Sequence, residues 1–173
     1  SMTHAAPQLS RAGFDLKPPS PDQLKTLSAG LDDEESRVIL NHGTEAAFCG
    51  IFTDNKQAGT YVCRLCGLPL FRSDKKFDSG TGWPSFFDPI DRHHIAFIRD
   101  VSYGMERTEI RCARCQGHLG HVFPDGPPPT HARYCLNSVS LNFVQSGEKL
   151  PDLLGRGGFE GQKLANAPVR SST

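Results

Sequence analysis

Cys63-Arg64-Leu65-Cys66-Gly67 and Cys112-Ala113-Arg114-Cys115-Gln116-Gly117 share one shape: two thiols three residues apart, with a glycine close behind. That spacing lets both sulfurs face one ion, while the glycine eases the backbone as it turns toward the metal. Four thiolates without a carboxylate or imidazole make a closed, soft, tetrahedral site. Such a site suits structural Zn²⁺ and leaves no coordination position for a substrate. Cys63, Cys66, Cys112 and Cys115 are therefore the expected ligands of one zinc ion per chain. The 45 residues between Cys66 and Cys112 exceed the spacing of a simple zinc ribbon, so the ion would staple two distant parts of one sheet. A pair of redox C-x-x-C motifs is the alternative, but those come singly, at a helix start after a strand.

Around the two cysteine pairs the chain reads as short strands. Thr60-Tyr61-Val62, Pro69-Leu70-Phe71, His94 to Arg99, Glu109 to Cys112 and Ser138 to Val144 are rich in β-branched or aromatic residues and bounded by Gly, Pro, Asp or Asn. Ser138 to Phe143 alternates polar with apolar, the pattern of a strand with one wet face. Upstream, Ser20 before Pro21-Asp22 marks a helix start. A second short helix is expected from about Asp32 to Asn41, with Gly43 ending it. Residues 1–20, with Lys17-Pro18-Pro19-Ser20-Pro21, read as a flexible lead, and Ser1 ahead of Met2 as an expression scar. Residues 21–154 form the single expected domain. The Gly- and Pro-containing stretch 155–173 reads as an appended tail. His93-His94 reads as a strand entry, Pro127-Pro128-Pro129 as a rigid turn, and Lys75-Lys76 as a solvated hairpin tip.

Composition narrows the functional classes. Nineteen Lys and Arg balance nineteen Asp and Glu, which argues against gripping nucleic acid or an anionic membrane by bulk charge. No apolar run approaches the roughly 20 residues that span a bilayer. The N-terminal residues lack a basic segment followed by an apolar stretch, so a reducing cytoplasm is the expected setting. There, paired cysteines read as metal ligands or redox groups rather than structural disulfides.

Two cysteines fall outside the metal pairs. Cys135 lies in Arg133-Tyr134-Cys135-Leu136-Asn137-Ser138, where the neighbouring Arg and Asn favour a thiolate, the nucleophilic form. Gly117-His118-Leu119-Gly120-His121-Val122-Phe123-Pro124-Asp125-Gly126-Pro127 packs two imidazoles and an acid into a glycine-rich loop. Phe77-Asp78-Ser79-Gly80-Thr81-Gly82-Trp83-Pro84-Ser85-Phe86 holds the only Trp in a second rigid loop. Each has a plain reading on its own: a buried thiol, a surface loop, a core aromatic.

Together with the doubled C-x-x-C, these segments resemble the B-type methionine sulfoxide reductases, from about Gly43 to Phe143 and in family order. The resemblance implies a mainly β fold, two antiparallel sheets forming a β-tent or open barrel held by the zinc site, with short N-terminal helices. It implies reduction of the R epimer of methionine sulfoxide in proteins and peptides. By similarity Cys135 is the nucleophile that becomes a sulfenic acid. Trp83 would wall the pocket for the S-methyl group, and His118 and His121 would orient and protonate the sulfoxide oxygen. Phe123, Asp125, Arg133 and Asn137 would complete the substrate shell. Many family members carry a resolving cysteine in the Trp loop, where this chain has Thr81. A variant group places it in the N-terminal segment, which here holds Cys49 in Thr44-Glu45-Ala46-Ala47-Phe48-Cys49-Gly50. Cys49 is thus expected to close a disulfide with Cys135 that thioredoxin reopens.

Three rivals are weaker. A zinc-ribbon nucleic-acid module predicts a basic stripe and leaves Cys135 and the two His unexplained. A non-catalytic β-tent binding domain would lack the nucleophile. A zinc deaminase needs an open coordination position and an adjacent Glu.

Overall fold

The computed structural model describes residues 8–156. Its first helix, α1 (Pro21–Ala29), begins on a reciprocal capping box. The Ser20 hydroxyl accepts from the Gln23 amide while the Gln23 side chain accepts from the Ser20 amide. Helix α2 (Asp33–Ile39) starts the same way on Asp32 and Glu35. It stops short of Asn41 because His42 takes up left-handed backbone, and the Gly43 N–H returns to the Arg37 carbonyl at 2.9 Å. Val38 and Ile39 turn inward, and the Glu35 carboxylate accepts from Arg64 at 2.6 Å, tying the helix to the first cysteine pair.

The rest is two antiparallel sheets, as expected. β1 (Gly59–Cys63) lies between β2 (Pro69–Arg72) and β9 (Leu141–Gln145). The larger sheet runs in the order β3 (Lys76–Phe77), β4 (Ser85–Phe86), β8 (Arg133–Leu136), β7 (His118–Phe123), β6 (Arg107–Cys112), β5 (Ile95–Asp100). The core sits between them. Phe71 from the small sheet stacks on Phe86 from the large one at 4.5 Å, with Tyr61 and Tyr134 packed on the pair at 5.1 and 5.5 Å. Burying each such ring stabilises the fold by roughly 1.5–3 kcal/mol. No helix among the described residues is long and apolar enough to cross a membrane.

Five expectations need correcting. The two cysteine pairs, expected on distant parts of one sheet, lie at the ends of β1 in the small sheet and β6 in the large one, so an ion there would join two sheets. The segment read as a glycine-rich loop is largely strand β7, at the centre of the large sheet. Gly120 is there because a Cβ would collide with the Cys135 carbonyl, so the glycine lets β8 close on β7. Ser138 to Ser140 form a buried 3₁₀ turn, and the alternating strand starts only at Leu141. Lys76 is no solvated tip: it is buried, and its ammonium donates to the carbonyls of Thr53 and Asn55, both at 2.9 Å. Residues 8–18, expected as a flexible lead, strap the domain. Phe14 is buried edge-on against the His94 ring, the Ser10 hydroxyl meets His94 Nε2 at 2.8 Å, and Arg114 and Arg156 both donate to the Asp15 carbonyl. One buried aromatic is enough to dock a segment whose composition looks disordered. The expected tail, 155–173, lies outside the described residues from 157 on.

Candidate active site

The cysteine pairs sit at the ends of β1 and β6 and are built alike. In the first, the Gly67 amide donates to the Cys63 carbonyl and the Cys63 amide to Leu68; in the second, Gln116 donates to Cys112, and Cys112 to Gly117. The left-handed corner is Gly67 in one turn and Gln116 in the other, so the glycine two residues after Cys115 has a different job. A Cβ on Gly117 would press on Ile39 of α2. The four sulfurs are buried and lie within 4.8 Å of one another, with Cys63 to Cys115 at 3.6 Å and Cys66 to Cys112 at 3.5 Å. Thiolates around one Zn²⁺ at about 2.3 Å would stand roughly 3.8 Å apart, so the cluster fits a tetrahedral ion. Arg114 Nε and the Gly117 amide donate to Cys66 and Cys115 sulfurs, both at 3.4 Å, offsetting the charge a thiolate set would carry.

The other sequence-predicted residues mostly converge on one cavity. β7 and β8 pair so that His121 faces Cys135, and β4 lies on the other side of Cys135. The cavity, about 290 Å³, is lined by Cys135, His121, Trp83, Phe123, Arg133 and Asn137, together with Thr44, Thr81 and Arg107. Trp83 is held there by its indole N–H, which donates to the Glu45 carbonyl at 3.0 Å. The loop before it turns through left-handed Gly80 and Gly82. Thr81 Oγ1, Ser79 Oγ and Ser85 Oγ run as a chain of 2.8 Å hydrogen bonds. Arg133 lies over the Phe123 ring at 4.3 Å and forks onto the Asp125 carboxylate at 2.9 and 3.2 Å. Asp125 thereby acts on the site through Arg133, from the exposed rim.

Cys135 is not a resting thiolate. Burial pushes its pKa up, and the opposing pull of Arg133 and Thr81 does not overcome it; the Glu45 carboxylate adds to the upward push. Asn137 does not solvate the sulfur either. Its side-chain oxygen accepts from the Glu45 amide at 3.0 Å and its NH₂ donates to the Leu119 carbonyl at 3.2 Å. It pins the Thr44-Glu45 segment against β7.

The two imidazoles have separate places. His121 reaches the cavity and is held through Nε2 by Asp100 Oδ2 at 2.8 Å. This bond, with others from Ser102, drives the Asp100 carboxyl far below its usual range. His118 is buried and does not line the cavity around Cys135. Its Nδ1 meets Glu109 Oε2 at 2.6 Å, alongside His42 Nδ1 at 2.9 Å and a two-pronged contact from Arg111. Burial raises the Glu109 carboxyl, yet Arg111, His42 and His118 outweigh it and bring it down to about 2. Burial lowers the His118 pKa more than Glu109 raises it, so the ring is neutral at neutral pH. Its Nε2 is buried without a partner. Sequence reasoning missed Glu45, Asp100, Arg107 and Glu109. No spacing marks these residues, because each meets its partners across strands or loops.

Cys49 lies on an exposed loop outside the cavity lining. The loop rests on the Trp segment: the Phe48 amide donates to the Gly82 carbonyl at 2.7 Å, and a Cβ on Gly82 would strike the Phe48 ring.

A family model described as the SelR domain matches residues 31–145. Three similar proteins each carry the name peptide methionine sulfoxide reductase MsrB. One from Xylella fastidiosa (strain M23) is 65% identical over 144 residues, 83% of this chain and 93% of that protein. One from Caulobacter vibrioides (strain NA1000 / CB15N) is 60% identical over 156 residues, 90% and 98% of the two chains. One from Escherichia coli O139:H28 is 50% identical over 134 residues, 76% and 96%.

Proposed function

The chain belongs to the SelR-domain peptide methionine sulfoxide reductases, and from that premise we propose that it reduces methionine-R-sulfoxide in peptides and proteins through Cys135. The observation that carries this reading is the placing of Cys135 opposite His121 in a cavity walled by Trp83. The thiol sulfur attacks the sulfoxide sulfur, the oxygen passes to Cys135 as a sulfenic acid, and methionine leaves. The thiol's proton finishes on the transferred oxygen. His121, held by Asp100, is the group placed to orient that oxygen and move the proton. The Trp83 face takes the S-methyl group, and Arg133 and Phe123 close the rim.

In the second half, the Cys49 thiol condenses with the Cys135 sulfenic acid, giving a disulfide and water. A thioredoxin-type dithiol then reduces the disulfide and is itself oxidised. Using a metal-site thiol instead would dismantle that site, and Thr81 has no sulfur. Zn²⁺ on Cys63, Cys66, Cys112 and Cys115 would supply only cross-linking, with no coordination position left for substrate. A reducing compartment such as the cytoplasm suits a chain of six free thiols. The deciding assay offers separate R and S epimers of a peptide methionine sulfoxide. Turnover of R alone is expected, and turnover of S alone overturns the reading.

A further inference from the structure

Glu45 is a buried acid with an unfilled oxygen. It is 4% exposed. Its backbone is clamped between two residues of the cavity wall, donating to Asn137 Oδ1 and accepting from Trp83 Nε1. Side-chain Oε1 accepts from the Val139 amide at 3.1 Å, while Oε2 has no hydrogen-bond partner. No ion pair to Glu45 is present among the described residues. A carboxylate buried without a counter-charge is costly, so its open oxygen calls for a partner.

Oε2 ends against Gly50. A Cβ built on Gly50 would collide with both Glu45 Oε2 and Ser138 Oγ, so the free oxygen abuts the backbone of the residue directly after Cys49. Ser138 stands three residues from Cys135 and its hydroxyl accepts from the Phe52 amide at 3.2 Å, fastening the far end of the same loop. The loop carrying Cys49 thus rests on this carboxylate, while the backbone of the same residue holds Trp83 and Asn137 of the cavity wall. A second sign of nearness is that its charge is felt by the Cys135 thiol.

We propose that Glu45 shuttles the proton of the resolving step, taking it from the Cys49 thiol and returning it to the hydroxyl that leaves Cys135. This rests on the reading of Cys49 as the resolving thiol. The Cys49 S–H bond breaks and its proton goes to Oε2. The thiolate electron pair forms the bond to the Cys135 sulfur, the S–O bond breaks, and the departing oxygen takes the proton from Glu45 as water. The sulfenic sulfur is reduced, the Cys49 sulfur is oxidised, and Glu45 returns to its carboxylate. Cys49 is exposed and Cys135 is not, so the loop must swing inward for the bond to form. Oε2 is buried under the bare backbone at Gly50, so the same swing that carries Cys49 inward has to lift Gly50 off this oxygen.

The test is a rapid-quench single turnover with a peptide methionine-R-sulfoxide and no external thiol. Methionine formed reports the first step, and the mapped Cys49–Cys135 disulfide the second. Glu45→Gln keeps the acceptor for the Val139 amide but cannot carry a proton. It should form methionine at least as fast as wild type, since loss of a negative charge favours the Cys135 thiolate. Disulfide closure should slow by about 10² or more, the usual scale of acid–base assistance, and a dimedone-trappable sulfenic acid should accumulate. Glu45→Asp, with a shorter acid, should slow closure less than Gln. Two results overturn the proposal: closure in Glu45→Gln within about threefold of wild type, or both steps slowing in parallel, as a purely structural role requires. If Gln prevents folding, the same split measured on Glu45→Asp decides. A wild type that forms no Cys49–Cys135 disulfide overturns the Cys49 reading itself. That outcome is distinct from a wild-type disulfide that Glu45→Gln closes normally.

Discussion

His118 Nδ1 and Glu109 Oε2 stand 2.6 Å apart, and that contact fixes the imidazole as the Nδ1–H tautomer with a buried, unprotonated Nε2. Both groups titrate abnormally, and both in the direction that ties stability to pH.

Glu109 falls from an ordinary carboxyl pKa of 4.5 to about 2 on folding. Its contribution, on the order of 3 kcal/mol, is therefore complete above about pH 5 and is lost as pH falls toward 2. The His118 pKa is also lowered: the unfolded chain takes up that proton first, so stability declines further as pH drops below about 6.5. Urea titrations from pH 7 to pH 2.5 should show this slope. In Glu109→Gln the loss between pH 5 and 2.5 should flatten, with lower stability at pH 7.

Cys112→Ser removes one thiol of the proposed zinc site at the end of β6, where the large sheet meets the cysteine turn of the small one. Structural zinc sites carry about 10–16 kcal/mol of binding energy, as much as a whole domain's net stability. The variant should lose both the ion in native mass spectrometry and the cooperative melt. A fully folded, metal-free wild type would refute the assignment.

With its pKa raised by burial, the free enzyme's Cys135 should react with iodoacetamide at a rate climbing about tenfold per pH unit through pH 9, without an earlier plateau. Cys135→Ser should keep its fold and metal content yet lose essentially all turnover, because a hydroxyl is a far weaker nucleophile.

His121→Asn should lower the first-step rate by about 10²–10⁴ and alter its pH profile. His118→Asn, buried outside the cavity lining, should cost stability more than rate. Equal rate losses in the two variants would place both rings at the substrate.

The parts legible in the sequence are those whose chemistry is local. A C-x-x-C turn closes on itself, so the four clustered cysteines follow from spacing alone, but that they would join two sheets rather than two parts of one does not. Ser20 and Asp32 announce their helices because a capping box spans four residues. The segments around Trp83 and Cys135 carry their identity in contiguous motifs. Illegible were the residues whose roles arise from distant partners. Lys76 looks solvated until Thr53 and Asn55 supply its acceptors. The β7 segment looks like a loop because its glycine serves the approach of β8 rather than a turn. Asp100, Glu109 and Glu45 are ordinary acids until the sheets bring His121, His118 and Gly50 against them.

With Zn²⁺ on the four cysteines, the strap of residues 8–18 would give the site a durability that its thiols alone would not confer. Arg114 reaches from the Cys66 sulfur to the Asp15 carbonyl, and Arg156 grips Asp15 and Lys17 from the other end of the described chain. Both ends of the described chain are thereby tied to Asp15 beside the first cysteine turn, so a chelator would be expected to reach Cys66 only when the strap lifts. Ion release would then be a gated event, its half-life set by the opening of the chain ends. Trimming the chain to Pro21, which leaves every ligand in place, would turn a slow leak into a fast one.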